Sequence, residues 1–311
     1  MSTVRVVAPA RLHLGMLAVG DTGTRRFGGL GAAVERPAVV LEAEPADDLS
    51  VEGADAERAL AFARRCRDAL RLPGGARLRV VEAIPSHVGL GSGTKLALAV
   101  AQALAALDDR TLDAPALAQA AGRAARSAVG MWTFALGGLV VEGGVRGKGS
   151  APLLTRHAMP DEWRIVTVVP DAEPGLSGSA EAQAFERLEP SAERSAVIAQ
   201  LVLTSLLPAL VERELEEFGG ALTRVQRLVG DEFAPMQGGR FHPRAGALVE
   251  ALLSGGAAGA GQSSWGPAVY GVVGNEAAGR DLARRMEDLV GGNGAVDVVA
   301  FDNRGARLER S

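Results

Sequence analysis

Ile84-Pro-Ser-His-Val-Gly-Leu-Gly-Ser-Gly-Thr-Lys-Leu-Ala-Leu-Ala99 reads as the end of a strand, a glycine-rich loop and the start of a helix, because Leu96, Val100, Leu104 and Leu107 follow at helical spacing. Gly89, Gly91 and Gly93 carry no side chains, so backbone amides can approach a ligand and positive φ angles cost little. The unpaired amides of the first helical turn, together with the helix dipole, favour an anion there. Ser92 and Thr94 supply hydroxyls for capping or donation, and Lys95 brings a positive charge to the same turn. Phosphate or pyrophosphate is the simplest ligand for such a loop; a plain turn with a helix cap and a solvated lysine is the alternative. The stretch closes neither Gly-x-x-x-x-Gly-Lys-Ser/Thr nor Gly-x-Gly-x-x-Gly.

Around this loop lie 311 residues, 47% of them hydrophobic, enough for one large unit or two closely packed lobes. The net charge of −4 and the lack of a basic run leave no electrostatic footprint for nucleic acid. Of the 33 Lys and Arg residues only Lys95 and Lys148 are lysines, which singles out the lysine in the loop. Cys66, the one cysteine, excludes an internal disulfide and a thiolate cluster and reads as a packed residue. The chain enters Val4-Arg-Val-Val7 with no signal-like segment, and no apolar run of membrane-spanning length lacks charge. A cytoplasmic protein without membrane contact is the expectation.

Residues 3–8 and 10–17 read as strands that place Arg11 and His13 on one face, where they line an anion site or merely face solvent. Arg25-Arg-Phe-Gly-Gly-Leu-Gly31 reads as two cations entering a glycine turn, a plain connection or an arginine clamp with Arg26 on a sugar phosphate. Residues 39–44 and 76–81 alternate as strands, and 55–71, 94–108 and 113–127 have helical spacing. Residues 128–142 read as a buried strand entered by a tight turn, and Gly143–Gly149 as the lobe boundary or a mobile loop. The strand Arg164–Val169 ends near Asp171, placed for magnesium or proton work or simply for a turn. Helices are expected through 181–229 with a break or kink at Pro208; their stripe of Ile198, Leu201, Val202, Leu206 and Leu210 reads as a core or dimer face. The segment 231–243 reads as a polar loop from which Gln237, Arg240 and His242 reach a ligand. A second glycine loop, residues 255–271, carries Gln262, Ser263, Ser264 and Trp265, the indole either a packing anchor or a platform for an aromatic substrate. A helix at 276–290 and a strand at 296–300 complete an α+β pattern.

Pro85, Gly89, Leu90, Gly91 and Ser92 resemble the second motif of the GHMP kinase superfamily, with Gly93 where those kinases carry a second serine. Residues 8–15 and 255–271 resemble its first and third motifs. Together with Arg26–Gly31, Gly175–Gly178, Gln226–Gly230 and Gln237–Arg240, these stretches resemble the β-ribofuranosylaminobenzene 5′-phosphate synthase family over nearly the whole chain. The resemblance implies a two-lobed GHMP-kinase-like fold with mixed sheets and packed helices, its N-terminal lobe over 1–150 and its C-terminal lobe over 151–311.

It implies further that phosphoribosyl pyrophosphate is joined to 4-aminobenzoate or 4-hydroxybenzoate, with release of carbon dioxide and pyrophosphate, in tetrahydromethanopterin biosynthesis. Mg²⁺ is the implied cofactor and a homodimer the expected assembly. The glycine loop, residues 89–95, is the candidate pyrophosphate site. Arg26, Lys95 and Asp171 are the catalytic candidates, and Arg11, His13, Arg26, Gln237, Arg240 and Gln262–Trp265 the substrate-binding ones. A true GHMP kinase shares the loop, but Gly93 and the polar 262–265 insert count against it. A noncatalytic nucleotide or sugar-phosphate sensor is the third reading.

Overall fold

The computed structural model describes residues 3–19, 25–147, 149–176, 178–290, 292 and 294–311. In chain order the elements are β1 (Val4–Met16), β2 (Gly29–Ala46), β3 (Ser50–Gly53), α1 (Ala56–Leu70), β4 (Gly75–Glu82), α2 (Ser92–Leu107), α3 (Ala114–Ala121), α4 (Val129–Leu136), β5 (Leu139–Glu142), β6 (Leu153–His157) and β7 (Arg164–Val169). There follow α5 (Gly178–Arg187), α6 (Ala192–Leu201), a π-helical turn (Val202–Leu206), α7 (Leu207–Glu212), α8 (Leu215–Gln237), α9 (Gly246–Ser254), β8 (Gly259–Gln262), β9 (Val269–Val273), α10 (Glu276–Val290), β10 (Ala295–Ala300) and β11 (Arg307–Arg310). The expected α+β class holds.

Seven strands form the first sheet, in the order β11-β1-β2-β4-β3, with β5 paired to the first residues of the long β2 and β6 paired to β5. Four antiparallel strands, β10-β7-β9-β8, form the second. Helix α2 presents Leu96, Val100 and Leu104 to the first sheet, all essentially inaccessible to water. Helix α8 crosses between the sheets, with Phe218, Leu222 and Val225 in the main core, and its Gln226 amide donates to the Leu14 carbonyl of β1 at 2.7 Å. Gly219 and Gly259 let α8 touch β8 backbone to backbone: a Cβ on Gly219 would sit 2.3 Å from Ala258. That contact seats α8 directly on the second sheet.

Several local expectations are corrected. Residues 129–136, expected in a strand, form α4; their sequence, apolar but for Thr133, has no period that separates a buried strand from a buried helix. The expected glycine turn at 28–31 is mostly strand, since Gly29–Ala32 pair with β5. A Cβ at Gly31 would meet the Leu12 carbonyl and Val129 at 2.4 Å, so close strand and helix approach, not a turn, uses this glycine. The polar segment at 231–243 is helical as far as Gln237, because α8 keeps its apolar stripe through Val229 and Phe233. The division expected at 150 falls between β5 and β6, two paired strands of the first sheet, and the second sheet begins at β7.

Where a break or kink is expected at Pro208, the helix carries a π-helical turn. Helix continues from 192 to 212, and the missing Pro208 N–H is accommodated by the π turn just before it, where the Leu207 N–H reaches back to Val202. By length and composition this run, and no other among the described residues, suits a membrane span. Ile198, Leu201, Val202, Leu206 and Leu210 instead pack into the main core, leaving Leu203 and Val211 outward.

Candidate active site

A cavity of about 590 Å³ opens between the halves, walled by β1, the 87–94 loop, the 122–127 segment, α5, α8 and the loop after β8. Its anionic end is built first by α2. Gly91, at φ 83°, ends the loop, and no side chain among the described residues caps the helix; the Thr94 and Lys95 amides turn back to the Gly91 carbonyl, so the Ser92 and Gly93 amides stay available to a ligand. Arg11 lies across Gly91 and donates to the Gly89 carbonyl. Burial pushes its guanidinium down to about 10, which leaves it charged at neutral pH.

Two further arginines converge on Gly93. A Cβ there would lie 2.8 Å from Nη2 of Arg123 and 3.0 Å from Nη2 of Arg58, so a side chain at this position would invade the space of the pair. This is the physical reason for glycine where kinase-like loops carry serine. Arg58 is steadied by Asp55 at 2.8 Å, and Arg123 leans on Thr94 Oγ1 at 3.3 Å with its guanidinium over the Phe62 ring. Burial and the neighbouring Arg58 both lower the Arg123 pKa. Two crowded cations beside free amides form a site whose cost is relieved by an anion. Arg126, paired with Glu181 at 2.9 Å, extends the same wall.

The opposite end is aromatic. Phe233 and Trp265 stack at 4.2 Å with 10° between their planes, and Phe185 stands edge-on to both, at 5.9 and 5.4 Å. Trp265 is 3% exposed, and its Nε1 has no hydrogen-bond partner among the described residues. A cavity-lining indole with an unpaired buried donor is a ready partner for a ligand oxygen.

The structure gathers most of the sequence candidates here: Arg11, His13, Gly89, Gly91, Ser92, Gly93, Thr94, Gln237, Arg240, Gln262, Ser264 and Trp265 all line the cavity. Several have structural partners. Gln262 spends its side chain on Gln237 (3.2 Å), the Ser264 carbonyl (2.9 Å) and the His242 amide (2.6 Å). Arg240 forms a fork onto Asp231. Ser263 lies outside the lining and pins the lobes together, accepting from the His13 amide at 2.9 Å and donating to Gly89 at 2.7 Å.

Three candidates fall elsewhere. Arg26 is exposed, over Phe27, with its backbone bridged to Val145. Asp171 is exposed in the turn after β7 and is not in the lining. Lys95 faces away from the loop into the core: it is 0% exposed, donates to Thr133 at 3.0 Å and lies near the Phe134 ring. Burial and Arg11 hold its pKa well below the ordinary lysine value. Lys95→Met should therefore leave the Michaelis constant for an anionic substrate within about threefold, because a similar apolar volume replaces a desolvated amine; steady-state titration of the variant checks this. Ser177 and Lys148 lie outside the described residues.

Sequence reading missed Arg58, Arg123, Arg126, Glu181, Phe185 and Phe233. In so arginine-rich a chain single arginines carry no signal, and the glycine at 93 is a local sign of crowding whose cause only the fold reveals. For Mg²⁺, the lining carboxylate Glu181 is engaged by Arg126, and no group of three or more His, Cys, Asp or Glu side chains among the described residues is arranged around a metal. The donor set does not fit a protein-held Mg²⁺.

Residues 56–138 match the GHMP kinases N terminal domain and residues 206–290 the GHMP kinases C terminal family. The beta-ribofuranosylphenol 5′-phosphate synthase of Methanothermobacter thermautotrophicus is 30% identical, covering 96% of each chain. That of Archaeoglobus fulgidus is 31% identical over 98% of this chain and 99% of its own. Among solved structures, L. major mevalonate kinase in complex with R-mevalonate superposes with a TM-score of 0.72 at 15% identity, covering 96% of each chain; the fold is shared. With near-complete coverage by two such relatives and both GHMP domains in place, the chain belongs to the beta-ribofuranosylphenol 5′-phosphate synthase family, on a GHMP kinase fold.

Proposed function

We propose that the protein joins phosphoribosyl pyrophosphate to 4-hydroxybenzoate with loss of carbon dioxide and pyrophosphate, 4-aminobenzoate being the second acceptor, as a step of tetrahydromethanopterin biosynthesis. One observation carries this reading: an uncapped helix terminus flanked by Arg58 and Arg123 opens into the same cavity as the Phe185–Phe233–Trp265 aromatic cluster. An anion site and an aromatic slot in one enclosure suit a pyrophosphate donor and a benzoate acceptor. The phenol in the relatives' name favours the hydroxy acid.

Departure of pyrophosphate from the ribose C1 builds charge on the leaving oxygens, where the first-turn amides, Arg58, Arg123 and Arg11 concentrate donors. The ring carbon bearing the carboxylate attacks the oxocarbenium-like C1, and the electrons of the departing carboxylate restore aromaticity. The aromatic cluster orients that ring; Arg126 or Arg240 holds the 5′-phosphate or the carboxylate. Arg26, Lys95 and Asp171, outside the lining, are assigned supporting roles at most. Mg²⁺, in this reading, arrives on the substrate's pyrophosphate. The protein acts on small molecules in the cytoplasm, as a homodimer whose interface uses the outward Leu203 and Val211, 65% and 63% exposed; sedimentation of the Leu203→Glu variant tests that contact.

Incubation with phosphoribosyl pyrophosphate, Mg²⁺ and each benzoate, read by mass spectrometry, should give the C-glycoside 5′-phosphate. ADP formation from ATP with small alcohols, and no C-glycoside, would refute the reading.

A further inference from the structure

Behind the cavity wall lies a buried carboxylate that none of the roles above uses. Glu142, at the end of β5, is 0% exposed. Its Oε1 accepts from Ser127 Oγ at 3.2 Å and from the Ala128 amide at 3.2 Å, and its Oε2 accepts from the Gly144 amide at 2.7 Å. Ser127 Oγ lies 3.2 Å from Nε2 of His13, and both Ser127 and His13 line the cavity. A continuous hydrogen-bonded chain thus runs from the cavity through imidazole and hydroxyl to an enclosed carboxylate.

The bond directions follow from the chemistry of the three groups. Ionised Glu142 only accepts, so Ser127 donates to it; Ser127 then accepts from His13 Nε2–H, which leaves Nδ1 of a neutral ring as a base. His13 is neutral because burial and Arg11 push its pKa down to about 3. Burial pushes Glu142 up to about 7, against its three hydrogen bonds. The charged groups on the elements packed around the chain are Arg11 of β1, Arg25 and Arg26 before β2, Arg123 and Arg126 beside Ser127, and Glu181 of α5; none forms an ion pair or hydrogen bond with Glu142 among the described residues.

We propose that the His13–Ser127–Glu142 chain is a proton shuttle for the acceptor's para hydroxyl, and that it makes the enzyme selective for the hydroxy over the amino acid; this rests on the function proposed above. As the ring attacks C1, the hydroxyl proton passes to His13 Nδ1, the Nε2 proton to Ser127 and the Ser127 proton to Glu142. The oxygen lone pair becomes a carbonyl, the ring π pair forms the C–C bond, and the C1–O pair leaves with pyrophosphate. When carbon dioxide departs, its bonding pair restores the ring and the carbonyl oxygen recovers the proton by the same path. An aniline N–H is far less acidic and gains nothing from such a chain. Glu142 and Ser127 are positioning residues, acting through His13.

The test compares both acceptors across pH in the wild type, Glu142→Gln and Ser127→Ala, with thermal unfolding alongside. Wild-type kcat/KM for 4-hydroxybenzoate should rise through about pH 7 as Glu142 ionises. Both variants should lose this limb and fall about 10²–10³-fold with the hydroxy acid, with under threefold change for the amino acid. Parallel loss with both acids would mean that Glu142 merely anchors the 122–128 segment, and unchanged hydroxy-acid kinetics would likewise overturn the shuttle, the function standing in each case. Ser127→Ala keeps the carboxylate in place, so its result decides if Glu142→Gln fails to fold. No C-glycoside from the wild type with either acid would overturn the shuttle together with the function it rests on.

Discussion

Arg123→Ala lowers kcat/KM for phosphoribosyl pyrophosphate by about 10²–10³-fold, the usual cost of one donor aimed at developing charge, and does so without lowering the melting temperature. The two halves of this expectation have one cause. Arg123 is held beside Arg58, 2.8 and 3.0 Å from the point where a Gly93 Cβ would be, and burial with like charge lowers its pKa. In the free protein the pair repels, so removing one member relieves the fold. In the presence of pyrophosphate the pair is an asset, and its loss weakens binding. Inorganic pyrophosphate should accordingly raise the wild-type melting temperature more than that of the variant, since stabilisation follows ligand concentration over affinity. Arg123→Lys should recover only part of the rate, a point charge replacing a planar fork. Equal rates for wild type and Arg123→Ala would remove the pair from the site.

The second large effect is structural. Gly89→Val should destabilise the protein by about 3–5 kcal/mol, the sum of a non-glycine left-handed conformation and an overpacked contact. Gly89 has φ 96°, and a Cβ would lie 2.2 Å from the Ser263 carbonyl oxygen. That neighbour is backbone and cannot swing aside. The Gly89 carbonyl also accepts from Arg11 and from Ser263, so the same shift unseats the guanidinium and the clamp between the halves. Chemical denaturation measures the loss; a change below about 1 kcal/mol would show that the loop yields more easily than this geometry allows.

The distribution of legible and illegible features has physical causes. The α2 terminus was readable because glycines, hydroxyls and a helical period coincide within a dozen residues. Arg11, His13 and Trp265 were readable as candidates because their motifs are local. The Arg58–Arg123 pair was not: it joins α1 to the segment after α3, and nothing in either stretch announces the other. Lys95 was misplaced because the anion loop directs attention to its charge, whereas its position on α2 turns it toward Thr133. Glu142 reads in sequence as the end of an apolar strand; only the fold sets Ser127 and His13 beside it. In the same way α4 escaped notice, its eight residues, apolar but for Thr133, matching either period, while the long amphipathic α8 and α10 were visible in outline.

The most direct measurement of the central claim is release of carbon dioxide from carboxyl-labelled 4-hydroxybenzoate, with pyrophosphate assayed in the same vessel and phosphoribosyl pyrophosphate as the varied substrate. The expected result is release that depends strictly on the donor, with one pyrophosphate for each carbon dioxide. Pyrophosphate without labelled carbon dioxide, or no release under any donor concentration, would contradict it.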